Sequence, residues 1–86
     1  MTTTDYQLLK RCELRILRYR REDNNIHKVI SDFSCPMEFR EVLEETLKKI
    51  RTEVDEAEIT EEKNEKLYFK ISSSDKFFDD LFKKVF

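Results

Sequence analysis

The sequence predicts a helix-rich α+β fold, with three or four helices packed on a small antiparallel strand element near residues 57–72, in one compact domain spanning 1–86. Three observations carry this expectation. Apolar residues recur at helical spacing over most of the chain. One segment, Leu67-Tyr68-Phe69-Lys70-Ile71, alternates with the period of a strand instead. Leu, Ile, Val and Phe supply 8, 6, 4 and 7 of the 86 residues, enough to escape disorder and to fill one small core but not two.

Taken in order, Thr3 or Thr4 with Asp5 offers an N-cap, and Tyr6, Leu9 and Cys12 follow at helical spacing, which predicts a helix over 5–11. Segment 13–20 reads two ways. Ile16 and Tyr19 prolong the stripe, while Arg, Ile, Leu and Tyr in partial alternation suit a strand; helix to about Arg21 is favoured. Asp23-Asn24-Asn25 reads as a turn in a chain without glycine. Ile26, Val29, Ile30 and Phe33 then suggest a short helix ending near Asp32.

Pro36 disfavours helix at Cys35 and suits the first turn of the next one, whose apolar run 43, 47, 50, 54, 57 keeps 4-3-4-3 spacing. Glu44-Lys48 and Glu45-Lys49 decorate its wet face at i, i+4. A strand over 66–72 follows. Ser72 to Asp75 supply caps for a last helix carrying Phe77, Phe78, Leu81, Phe82, Val85 and Phe86. The expected core is Leu9, Ile16, Val29, Ile30, Leu43, Leu47, Ile50, Val54, Phe69, Ile71, Phe77, Leu81 and Phe82.

Composition narrows function by exclusion. Phosphate-binding loops, dinucleotide fingerprints and nucleophile elbows rely on glycine, and the chain has none. Cys12, His27 and Cys35, spaced C-x14-H-x7-C, fall one ligand short of a structural zinc site, so no metal or other cofactor is expected. His27, the only histidine, stands beside no nucleophile in sequence, and no enzymatic activity is expected. Two cysteines are too few for a disulfide framework; both are expected to be reduced. No apolar run is long enough to span a membrane and the N-terminus does not read as a signal peptide, so a cytoplasmic protein without membrane association is expected.

Charge is the informative remainder. Lys and Arg number 17 against 19 Asp and Glu, but they are segregated along the chain. Lys10, Arg11, Arg15, Arg18, Arg20 and Arg21, with Tyr19 among them and only Glu13 opposed, form a candidate nucleic-acid-binding segment, since arginine forks suit phosphate and an aromatic ring can stack on a base. Glu53, Asp55, Glu56, Glu58, Glu61 and Glu62 form an acidic strip that suits a basic protein surface. Phe78 and Phe86 are candidate aromatic anchors for a partner.

The leading expectation is a small regulatory or inhibitory protein that binds a larger macromolecule, a protein partner first. The composition is of the kind found in small accessory proteins of phages and mobile elements. The alternative is an RNA- or single-stranded-DNA-binding protein using segment 10–21, which could hold protein and nucleic acid together. A homodimer seam at the Phe-rich end is a further expectation.

Overall fold

Thr2, one residue earlier than expected, starts the first helix. Its hydroxyl accepts from the Asp5 backbone N–H at 3.2 Å while the Asp5 carboxylate accepts from the Thr2 N–H at 3.2 Å, a reciprocal capping box. The Thr2 N–H holds the Asp5 carboxyl below the usual carboxylate range, and Lys49 at 3.6 Å acts in the same direction.

A computed structural model describes residues 1–22 and 25–86, with 25–27 described by backbone alone. The elements are α1 (Thr3–Arg11), β1 (Arg15–Glu22), β2 (Asn25–Pro36), a 3-10 turn (Met37–Phe39), α2 (Arg40–Ile50), β3 (Glu56–Lys63), β4 (Lys66–Ser73) and α3 (Asp75–Val85). Of the expected turn at Asp23-Asn24-Asn25, Asp23 and Asn24 lie outside the described residues and Asn25 is the first residue of β2.

The helix-rich architecture is overturned. Strands of 8, 12, 8 and 8 residues claim about as much chain as α-helices of 9, 11 and 11. They form one four-stranded antiparallel sheet in the order β1-β2-β4-β3. The fold is therefore mixed α+β, with the strand element far larger than a single hairpin.

Segments 13–21 and 26–32, expected as helices, are strands for physical reasons. In β1 a bulge leaves Leu17 unpaired between Ile16, opposite Phe33, and Arg18, opposite Asp32. The extra residue puts Ile16 and Tyr19 on one face three positions apart, which imitates helical spacing. Ser31 Oγ donates to the Arg18 carbonyl at 2.9 Å, fastening β2 to the bulge. In β2 the face carrying Val29, Ser31, Phe33 and Cys35 is buried, but its serine hides the alternation, and Ile30 on the other face adds a false apolar beat.

The long helix expected from Pro36 stops at Ile50. The Glu53 and Val54 N–H groups both donate to the Ile50 carbonyl, and the chain turns into β3. Ala57 reaches the core opposite Ile71 from that strand, so its place in the 4-3 run was coincidental. Arg51 Nε donates to the Ala57 carbonyl at 2.6 Å, tying the end of α2 to the start of β3.

Without glycine, ordinary residues occupy left-handed conformations. Asn64 and Glu65, the two residues between β3 and β4, have φ of 53° and 62°, and Glu13 has φ of 54°. Positive φ at both central positions defines a type I′ hairpin turn, whose preferred sequence is Asn-Gly. Glu65→Gly is therefore expected to stabilise the protein by about 1 kcal/mol through relief of the Cβ clash. Urea unfolding of the two proteins measures it; a destabilised variant would contradict this turn geometry.

One hydrophobic cluster lies between the sheet and the helices. Phe33 stacks on Phe69 with centroids 5.2 Å apart, and Leu9, Leu43, Leu47, Ile50 and Leu81 close over them, each fully buried. Burial of such a side chain contributes about 1.5–3 kcal/mol. Four expected core residues, Ile30, Val54, Phe77 and Phe82, are only partly buried, and Ile16 on the edge strand is 42% exposed. Phe33, Leu67 and Phe78 fill the core in addition.

Candidate interaction surface

Antiparallel register aligns side chains in transverse rows across the four strands. Facing the helices are Ile16–Phe33–Phe69–Ile59 and Tyr19–Ser31–Ile71–Ala57. The opposite face presents Arg15–Ser34–Tyr68–Glu61, Arg18–Asp32–Lys70–Glu58 and Arg20–Ile30–Ser72–Glu56. Each of these three rows begins with an arginine on β1 and ends with a glutamate on β3. This open face is consequently bipolar, basic along one edge and acidic along the other.

The basic segment is divided by the pleat. Lys10 and Arg11 lie in the last turn of α1, where they complement its dipole. Arg15, Arg18 and Arg20 reach the open face. Tyr19 and Arg21 point the other way, onto α3. The Tyr19 ring meets Phe78 edge-on at 5.6 Å and Phe82 at 5.4 Å, and its hydroxyl donates to Asp75 at 3.4 Å. Burial, followed by the Asp75 charge, pushes the Tyr19 phenol up. Arg21 pairs with the same carboxylate at 3.1 Å.

Tyr19 thus rests one side of its ring on α3 while remaining 41% exposed. Arg20 pairs with Asp32 at 3.2 Å. Exposed Arg15 and Arg18 carry no ion pair among the described residues.

The acidic strip is likewise dispersed. Glu53 binds the N-terminal ammonium of Met1, and Asp55 is exposed before β3. Glu56 and Glu58 share Lys70 at 3.5 and 3.7 Å, Glu61 stands opposite Tyr68, and Glu62 turns to Arg40. Phe78 requires a correction: it is fully buried, so it anchors the core and offers no surface to a partner. Phe86 remains 52% exposed while stacking at 6.4 Å on Phe33.

Neither Leu17 nor Tyr68 is among the surface residues of interest expected from the sequence. Leu17, 52% exposed because the bulge expels it, and half-buried Tyr68 line a depression of about 340 Å³ with Arg18, Asp32, Thr60 and Glu61. Tyr68 was available from the sequence, because alternation within 67–71 places it opposite Leu67, Phe69 and Ile71. Leu17 was not, since nothing local announces a bulge.

Among the described residues no group of three His, Cys, Asp or Glu side chains could hold a metal ion, and no helix is long and apolar enough to cross a membrane. The His27 side chain lies outside the described residues. Cys12 and Cys35 are buried free thiols, the former donating from Sγ to the Leu8 carbonyl at 3.2 Å. Compared with family models, curated proteins and solved structures, the chain matches none.

Proposed function

We propose that this chain is a non-enzymatic regulatory or inhibitory protein that docks a larger protein partner on the open face of its sheet. The observation that carries the reading is the bipolar face itself, with arginines along β1, glutamates along β3 and the Leu17–Tyr68 depression between them. A uniformly charged ligand would gain at one edge and be repelled at the other. A protein surface can match both signs and seat an apolar or aromatic side chain in the middle.

Site-specific photo-crosslinking in the native host tests this. A crosslinker at Tyr68 is expected to capture a discrete protein that the same group at exposed Gln7, on α1, does not. Leu17→Asp should abolish that capture with the melting temperature preserved. Equal capture from both positions would sink the reading.

A nucleic-acid reading keeps one specific support, the unpaired Arg15 and Arg18. It is favoured instead if the Tyr68 adduct is RNA or DNA and if affinity falls steeply with salt, with a shallower slope in Arg15→Ala/Arg18→Ala.

A further inference from the structure

The two edges of the sheet are complementary to each other. Edge strand β1 carries Arg15, Arg18, Arg20 and Arg21 against Glu22, a net of +3, and edge strand β3 carries Glu56, Glu58, Glu61 and Glu62 against Lys63, a net of −3. Both are 8 residues long. Like edges repel: β1 on β1 would set arginine against arginine, and β3 on β3 glutamate against glutamate. Opposite edges attract.

We propose that the chain associates with further copies of itself head to tail, β1 of one copy pairing antiparallel with β3 of the next to continue the sheet. Strand direction permits it. Neighbouring strands are antiparallel throughout the order β1-β2-β4-β3, so β1 and β3 of a single copy run oppositely. A second copy in the same orientation therefore presents β3 antiparallel to β1, with its helices on the same side of the sheet.

Hydrogen-bond phase permits it too. Along a transverse row, residues turn their backbone groups alternately toward one neighbour and the other. After an even number of strands, the groups at the two ends are in matching phase whichever way the row begins. The Ala57 carbonyl already accepts from Arg51 Nε; an oxygen with two lone pairs can accept again, so that position is narrowed rather than closed.

The register follows from the rows. Extending them puts Arg20 opposite Glu56, Arg18 opposite Glu58 and Arg15 opposite Glu61 on the open face, with Ile16 opposite Ile59 and Tyr19 opposite Ala57 beneath. The middle row then alternates in sign without interruption from copy to copy: Arg18, Asp32, Lys70, Glu58, and Arg18 again. Bulges at Leu17 and Thr60 fall one step apart, so each strand's extra residue is accommodated and the faces stay in phase. Exposed Ile16 gains an apolar neighbour. Such a contact uses two different surfaces and does not close on itself as a two-fold dimer does.

Sedimentation velocity over a concentration series up to about 1 mM protein, at low and at high salt, tests the proposal. The wild-type average mass is expected to rise with concentration past that of two copies, and to fall back in high salt. Arg15→Glu/Arg18→Glu and Glu58→Lys/Glu61→Lys are each expected to sediment as single copies alone and to associate when mixed, the reversed edges being complementary again. Circular dichroism melts establish that both variants fold.

If charge reversal beside Asp32 or Lys70 prevents folding, a register-specific disulfide replaces it: Arg18→Cys mixed with Glu58→Cys should cross-link on oxidation, while Arg18→Cys alone, or mixed with Glu41→Cys on α2, should not. A wild type that stays a single copy at the highest concentration in low salt overturns the proposal. So does a species that stops at two copies, or a disulfide that forms equally well in Arg18→Cys alone.

Discussion

Phe78→Ala is expected to destabilise the protein by about 3–5 kcal/mol, the range for emptying a buried aromatic site. Phe78 is fully buried, with Tyr19 edge-on at 5.6 Å, Phe77 at 5.4 Å and Phe82 at 5.8 Å. Its removal leaves the β1–α3 contact without its central ring. Set against a total stability of about 5–15 kcal/mol, the loss is a large share of what holds the fold together. Phe86→Ala, at a half-exposed end position, is expected to cost far less. Urea titrations of the two variants separate the roles. A Phe78→Ala protein with unchanged stability and weakened partner binding would restore that residue to the surface.

Stability is expected to fall between pH 9 and pH 11, by on the order of 2 kcal/mol, through Cys35 alone. Burial, reinforced by neighbouring Cys12, pushes its thiol from an ordinary 9.0 up to about 11. Above pH 9 the unfolded chain releases a proton that the folded chain still holds, so unfolding gains free energy with each step in pH. The stabilisation is whole below pH 9 and is lost as pH rises through 11. Cys35→Ala should flatten this part of the profile. The Cys12 thiol and the Tyr6 and Tyr19 phenols, also pushed up by burial, leave a residual slope of the same sign. A profile identical in wild type and variant would show that the Cys35 proton is not linked to folding.

The helices and strand that were legible in the sequence are those whose signals are local. α1 and α3 have hydroxyl caps and clean stripes, and β4 alternates without interruption. What stayed hidden depended on distant partners. The period of β1 is broken by Leu17, whose expulsion is decided by pairing with β2, and a buried serine in β2 looks polar until the opposing strand is known. Asn64-Glu65 carried only half of a turn signal, the Asn of Asn-Gly without its glycine. The surface was half legible for the same reason. The basic segment was visible as composition, but only the pleat together with the bulge at Leu17 shows that Arg15, Arg18 and Arg20 share a face while Tyr19 and Arg21 turn toward α3.

The strand order has a kinetic side. β1 with β2, and β3 with β4, are hairpins between sequence neighbours, and units of this kind close within microseconds. Joining them is a different matter, because β2 must find β4 across α2 and β3. The entropy of that loop falls on the one seam where Phe33 meets Phe69, so the stacked pair that anchors the finished sheet is also the contact for which the chain waits longest.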